Sequence, residues 1–211
     1  MLGSCQVTMI EGGLKRLDEL RPGDRVLSGS LDKYMTIKCI IQTDAKSKRQ
    51  YVRFPTGLII TPYHPVFGWI GSDGPPPKWS FPIDLVAPDS VTIKRPRDVW
   101  LIDQENVQIF SFVCEGVGNS ILINSIPCIC LGTGPSKTPV INHKFFSSLE
   151  AMQLETFPGW KRGHIKFQDG CMIRDAEGNV VAFDRAKCIS RDEDDEDDNN
   201  NNSSSSDVAH M

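Results

Sequence analysis

Three places in this 211-residue chain carry residue types suited to covalent or proton-transfer chemistry. Cys5 stands almost at the amino end, after Ser4, and runs directly into the strand-like Val7-Thr8-Met9-Ile10 and the turn Glu11-Gly12-Gly13. Thr61-Pro62-Tyr63-His64-Pro65 follows the apolar Leu58-Ile59-Ile60. Asn119 to Gly134 (NSILINSIPCICLGTG) holds Cys128 and Cys130. A thiolate is a nucleophile, and a histidine with an ordinary pKa of about 6.5 moves protons near neutral pH. Cys5 with His64 would therefore make a nucleophile and acid–base pair if the fold unites them. Taken singly, each place has a plainer explanation: a buried thiol, a polar loop, a last core strand. On one strand Cys128 and Cys130 share a face at roughly 7 Å between Cβ atoms, so one could be a ligand or second nucleophile, with core packing as the alternative.

The elements between these residues must fold back to bring them together. Short, β-branched apolar runs lie between turn signals: Val26-Leu27, Met35 to Ile41, Tyr51 to Phe54, Leu58 to Ile60, Val91 to Lys94, Val99 to Ile102, Val107 to Val113 and Ile121 to Ile126. They predict an all-β fold. Arg21-Pro22-Gly23-Asp24 places Pro and Gly at the central positions of a type II turn; Gly71 to Lys78 (GSDGPPPK) reads as a surface loop. One helix is expected, Phe145 to Phe157, capped by Ser147 or Ser148 with Glu150 and ended by Pro158-Gly159. A small β coda follows, Gly163 to Phe167 and Met172 to Phe183, with a turn at Asp175 to Asn179. The expected organisation is a β domain over 1–140, a helix and β appendage packed on it over 141–189, and a disordered acidic, Asn- and Ser-rich tail over 190–211.

Residues 191–211 hold eight acids and one base, which leaves the preceding part at a net charge of +3 despite −4 overall. A body so weakly basic and evenly mixed argues against nucleic acid. No apolar run approaches the roughly 18 residues of a spanning helix, and no secretory leader opens the chain, so no membrane is expected. Seven cysteines, an odd number without a CxxC pair, read as reduced thiols of a cytoplasmic protein. Arg95-Pro96-Arg97 is too short a basic spot to track phosphates, and His143 and His164 read as satisfied polar residues.

Cys5, then Lys15 to Val26 (KRLDELRPGDRV), then Leu58 to Pro65 (LIITPYHP) resemble, in that order, the Hint (hedgehog/intein) superfamily. Trp79-Ser80-Phe81-Pro82, Cys128 to Gly134, His143 to Phe146, Phe157 to Trp160 and Ile173 to Asp175 are similar specifically to its Vint subgroup. The resemblance spans residues 3–185 and implies a horseshoe of short, curved antiparallel strands with a short C-terminal helix and small β appendage. It implies also a chemistry: Cys5 attacks the Ser4 carbonyl in an N–S acyl shift, His64 donates a proton to the departing amide nitrogen, and Thr61 holds the scissile peptide through its hydroxyl. The thioester would pass to water or another nucleophile, and the substrate would be the upstream polypeptide, handled intramolecularly. No metal and no cofactor are expected.

The chain departs from that pattern in three ways. The loop after Cys5 is short. Gly118-Asn119-Ser120 and Leu131-Gly132-Thr133-Gly134 lack the histidines of the subgroup's closing block, and no His-Asn followed by a nucleophile closes the module, so full splicing is not expected. Asn124-Ser125 aligns with an internal turn of the family. These departures keep open a second reading, a catalytically degenerate Hint-fold module that binds protein partners. A third, a cysteine hydrolase acting in trans through Cys5 and His64, lacks a substrate-cleft signature.

Overall fold

A computed structural model describes residues 1–30, 33–68, 77–86, 99–174, 176 and 180–189. Its strands in chain order are β1 (Gln6–Thr8), β2 (Leu14–Arg16), β3 (Arg25–Leu27), β4 (Tyr34–Ala45), β5 (Arg49–Arg53), β6 (Ile59–Ile60), β7 (Val66–Phe67), β8 (Trp79–Ser80), β9 (Trp100–Gln104), β10 (Val107–Gly116), β11 (Ser120–Ile123), β12 (Ile126–Ile129), β13 (His164–Phe167), β14 (Met172–Arg174) and β15 (Val180–Phe183). The fold is mostly β, as expected, and its pairings are antiparallel apart from β13 on β4 and one isolated bridge. The expected strand at 91–94, Trp69, the Arg95-Pro96-Arg97 spot, most of the 71–78 loop, most of the 175–179 turn and the 190–211 tail lie outside the described residues.

Two cores share one strand. β4 turns Ile37 and Ile40 into a core formed with Met1, Cys5, Val7, Phe110 and Phe112, and turns Cys39 and Ile41 into a second core with Phe145, Phe157, Phe167 and Phe183. The register shift that leaves Lys38 without a partner on β10 reverses the alternation within β4, so Met35 and Ile37 face the same core as Ile40, while Cys39 and Ile41 face the other. β10 pairs along all of β4, and β13 joins the other edge in parallel, with His164 to Phe167 opposite Ile40 to Thr43. The stretch after residue 140 thus supplies a strand to a sheet begun by residues 25–45. Asp169, just past β13, accepts from the Lys46 and Ser47 amides at 3.1 and 2.9 Å and from the Ser47 hydroxyl at 2.6 Å, and pairs with Arg49.

A second sheet, ordered β2-β1-β11-β12-β7-β8, places β11 between the amino-terminal strand β1 and β12, which bears Cys128. The expected single strand 121–126 is instead a hairpin, because Asn124 and Ser125 both take positive φ (46° and 64°). This is the geometry of a two-residue type I′ turn. Asn124 tolerates the left-handed region and ties the turn down: its Oδ1 accepts the Gln6 N–H at 2.9 Å and its Nδ2 donates to the Thr56 carbonyl at 3.0 Å. Ser125 has no such side-chain tie among the described residues. Left-handed strain of about 1–2 kcal/mol, less about 0.4–1 kcal/mol for the looser unfolded chain, predicts that Ser125→Gly stabilises the fold by about 0.5 kcal/mol. A higher urea midpoint at unchanged slope would show it; an unchanged or lower midpoint would refute it.

The expected helix 145–157 is broken into α1 (Lys144–Ser147), α2 (Leu149–Met152) and a 3₁₀ turn Leu154–Thr156. Ser147-Ser148, residues that compete for backbone hydrogen bonds, end the first piece instead of capping a long one. Gln153 at φ 51° ends the second. The His143 ring receives the Phe145 N–H at 3.2 Å at the start of α1, and the His164 Nε2 pairs with Gln42 Oε1 at 3.1 Å, so both histidines serve structure.

Candidate active site

Arg21-Pro22-Gly23-Asp24 forms the expected turn: Gly23 sits at φ 92° and the Asp24 N–H donates to the Arg21 carbonyl at 3.1 Å. Asp24 Oδ2 receives the Arg21 amide at 2.8 Å and Lys15 Nζ at 2.7 Å, so it orders the turn. The turn is clipped to β4 by Gly23 N–H to the Ile37 carbonyl and Ile37 N–H to the Asp24 carbonyl. This fixes the frame against which the first eight residues lie.

Those first residues are drawn inside. The Met1 ammonium donates to the Phe110 carbonyl at 3.0 Å, the Phe110 N–H donates back to the Met1 carbonyl at 2.7 Å, and the Leu2 N–H donates to the Ile59 carbonyl at 3.0 Å. The Cys5 N–H closes a turn onto the Leu2 carbonyl at 3.1 Å. Ser4 faces solvent while the Cys5 side chain turns inward. The Cys5 Sγ accepts the Ile59 N–H at 3.3 Å and lies 3.5 Å from the Ile59 carbonyl, so the thiol rests on the backbone of β6 two residues before Thr61.

From β6 the chain enters the Thr61–His64 turn, closed by the His64 N–H on the Thr61 carbonyl at 3.2 Å. Thr61 therefore helps to build the turn through its main chain. Pairing of Val66 with Cys128 then runs the chain along β12 and sets the His64 Nε2 2.9 Å from the Ile129 carbonyl, with Phe146 edge-on to the imidazole at 5.6 Å. A carbonyl only accepts, so Nε2 carries the proton and Nδ1 holds the lone pair.

The Met1 ammonium is the point where these groups meet electrostatically. It acts on Cys5, His64 and Cys128, which come from the segment before β1, the turn after β6, and β12. Burial lowers the pKa of that ammonium, against the pull of the Cys5 and Cys128 sulfurs. Burial raises the Cys5 thiol above its ordinary range, opposed by the Ile59 hydrogen bond and by the ammonium. Burial also raises Cys128. Burial and the ammonium together push His64 down to about 3, so it rests neutral instead of poised near 6.5 as its residue type suggested. Met1 and Cys128 are members of the site that sequence reasoning did not assign; the Cys-x-Cys spacing pointed at the second, and nothing local pointed at the first.

The depressed His64 pKa has a consequence for stability. Between about 3 and 6.5 the unfolded chain binds a proton on this ring that the folded chain excludes, so stability from this residue is full above 6.5 and falls as pH drops through that window. At about 1.4 kcal/mol per unit the loss amounts to several kcal/mol. Urea titrations at pH 7, 5 and 4 should show a steeper decline for the wild type than for His64→Gln, which keeps a donor for Ile129 but does not titrate. Equal slopes would refute this account.

An all-β fold that draws its own first residues into the core, beside a cysteine and the histidine of a Thr-x-x-His turn, is the architecture of a Hint-type domain. The family model for Vint, a Hint-domain, matches residues 1–182, and the chain belongs to that family. Solved structures similar to it are inteins. The MchDnaB-1 intein (N145AA) is 13% identical over 61% of this chain and 98% of its own, with a TM-score of 0.43. The Msm DnaB1 intein splicing domain bound with zinc is 13% identical over 61% and 98%, TM-score 0.40, and the gp41-1 intein 15% identical over 60% and 94%, TM-score 0.39. No curated protein matches the chain. No described helix is long and apolar enough to cross a membrane.

Proposed function

We propose that this domain processes its own chain by an N–S acyl shift at Ser4-Cys5, with Cys5 as nucleophile, His64 as acid–base group and Thr61 as the residue that orients the scissile peptide. The observation that carries this reading is the seat of the Cys5 sulfur on Ile59, at the strand that leads into the Thr61–His64 turn. The neutral His64, with its lone pair on Nδ1, takes the thiol proton; sulfur adds to the Ser4 carbonyl carbon; the C–N bond breaks and the proton passes to the Cys5 nitrogen, leaving a thioester. For this the thiol turns from Ile59 toward Ser4 and the Cys5 N–H releases the Leu2 carbonyl. Water or another nucleophile then resolves the thioester and frees the upstream polypeptide, the intramolecular substrate. Neither a metal nor a cofactor enters any step, full splicing lies outside the proposal, and a reducing compartment such as the cytoplasm suits the thiol.

A second reading has its own support. Cys5 carries a raised pKa, its N–H is held in a turn, and Ser4 points to solvent while the thiol is buried. These favour a domain that keeps the Hint scaffold without the reaction and works through protein contacts. The deciding experiment places a reporter at the amino end of the full chain and follows intact mass with dithiothreitol or hydroxylamine. Release of the reporter carrying Met1–Ser4 supports the first reading. An intact fusion that forms no hydroxamate supports the second, and cleavage at Met1 overturns the Ser4-Cys5 assignment.

A further inference from the structure

Away from that thiol, two other nucleophilic side chains lie in contact. Cys114 sits on β10 where the register shifts between Val113 and Cys114, and Cys130 follows directly on β12. Their neighbours Val113 and Leu131 form a parallel bridge, and the Leu131 N–H donates to the Phe112 carbonyl at 2.8 Å. This pairing sets the two sulfurs 3.5 Å apart, with the Cys130 S–H directed at the Cys114 sulfur. Cys130 is buried and Cys114 only half-buried, so one member of the pair is open to a reagent and the other is screened from it.

We propose that Cys114 and Cys130 are a reversible dithiol that closes to a disulfide on exchange with a low-molecular-weight disulfide. A sulfur–sulfur bond is about 2.05 Å long, so the pair closes by an approach of about 1.5 Å. Cys114 gives its proton to solvent and attacks one sulfur of the reagent; the reagent's S–S bond breaks and its other half leaves as a thiolate. Cys130 then loses its proton and attacks the Cys114 sulfur, forming the intramolecular bond and expelling the second small thiol. Two protein thiols lose two electrons and two protons, and one small disulfide becomes two thiols. Contact between the sulfurs favours the second step, since Cys130 needs no diffusion to reach its target. Neither cysteine takes part in the Ser4-Cys5 reaction, so the pair stands whether or not the chain cleaves itself.

The test uses the full chain, incubated natively with oxidised glutathione at pH 8, quenched in acid, alkylated after unfolding, and weighed. Five of the seven cysteines should take the label, and digestion after Glu115 should give a peptide ending in Cys114-Glu115 linked to the one that holds Cys130. The link should vanish in Cys114→Ser and in Cys130→Ser and persist in Cys128→Ser. Closing a loop of 16 residues should raise Tm by several degrees, reversed by dithiothreitol. Seven labelled cysteines, glutathione left on Cys114 with Cys130 alkylated, or a link from Cys114 to Cys128 would each overturn the proposal.

Discussion

A reporter fusion carrying Cys5→Ala is expected to release no reporter at all, and one carrying His64→Ala to release it about 10²–10⁴-fold more slowly than the wild type. Alanine leaves no atom able to add to the Ser4 carbonyl, so nothing in the site replaces the sulfur. On the proposed mechanism, alanine at 64 spares the nucleophile and removes its proton carrier, hence a reduction in place of abolition. The pH profile separates this role from a structural one. With burial holding His64 well below its ordinary range, the wild-type rate should show no inflection near 6.5. Unchanged release in His64→Ala, or a bell centred near 6.5, would remove the neutral imidazole from the mechanism.

Phe167→Ala is expected to cost the fold about 3–5 kcal/mol, a large share of the roughly 5–15 kcal/mol that holds a domain together. Phe167 is fully buried, stacked on Phe183 at 4.7 Å and edge-on to Phe157 at 5.2 Å. Its backbone belongs to β13, whose register on β4 places it opposite Thr43. Since β4 presents its other face to the core that contains Cys5, the loss should pass to both cores. Urea unfolding of the variant should therefore remain one transition at a lower midpoint. Two separate transitions, with only the aromatic cluster melting early, would show that the stretch after residue 140 is a separable appendage.

Features set by neighbouring residues were legible in the sequence. Pro22-Gly23 specified their turn because φ is fixed at one and freed at the other, and the β-branched runs marked β4, β5, β9 and β10 to within a few residues. Partners distant in the chain were not legible. His164-Ile165-Lys166-Phe167 alternates as a strand should, yet nothing in four residues says that it lies parallel to β4. The burial of Met1 depends on Phe110, 109 positions away. The order Cys5, Thr61, His64 could be read, and so could the chemistry of a thiol and an imidazole. That the imidazole would rest neutral on the Ile129 carbonyl required β7 and β12 to pair first. The helix 145–157 is broken for a local reason, the paired serines at 147 and 148.

The strand shared between the two cores also dictates where the chain can be trimmed. An expression boundary at residue 140, natural from the Hint-like β part alone, would strip β13 and the phenylalanines from β4, uncovering Cys39 and Ile41 and leaving the edge Ile40–Thr43 without its partner strand. Such an edge recruits other strands, so the shortened protein should come out of cells as aggregate, while one ended just beyond Cys188 keeps that edge covered.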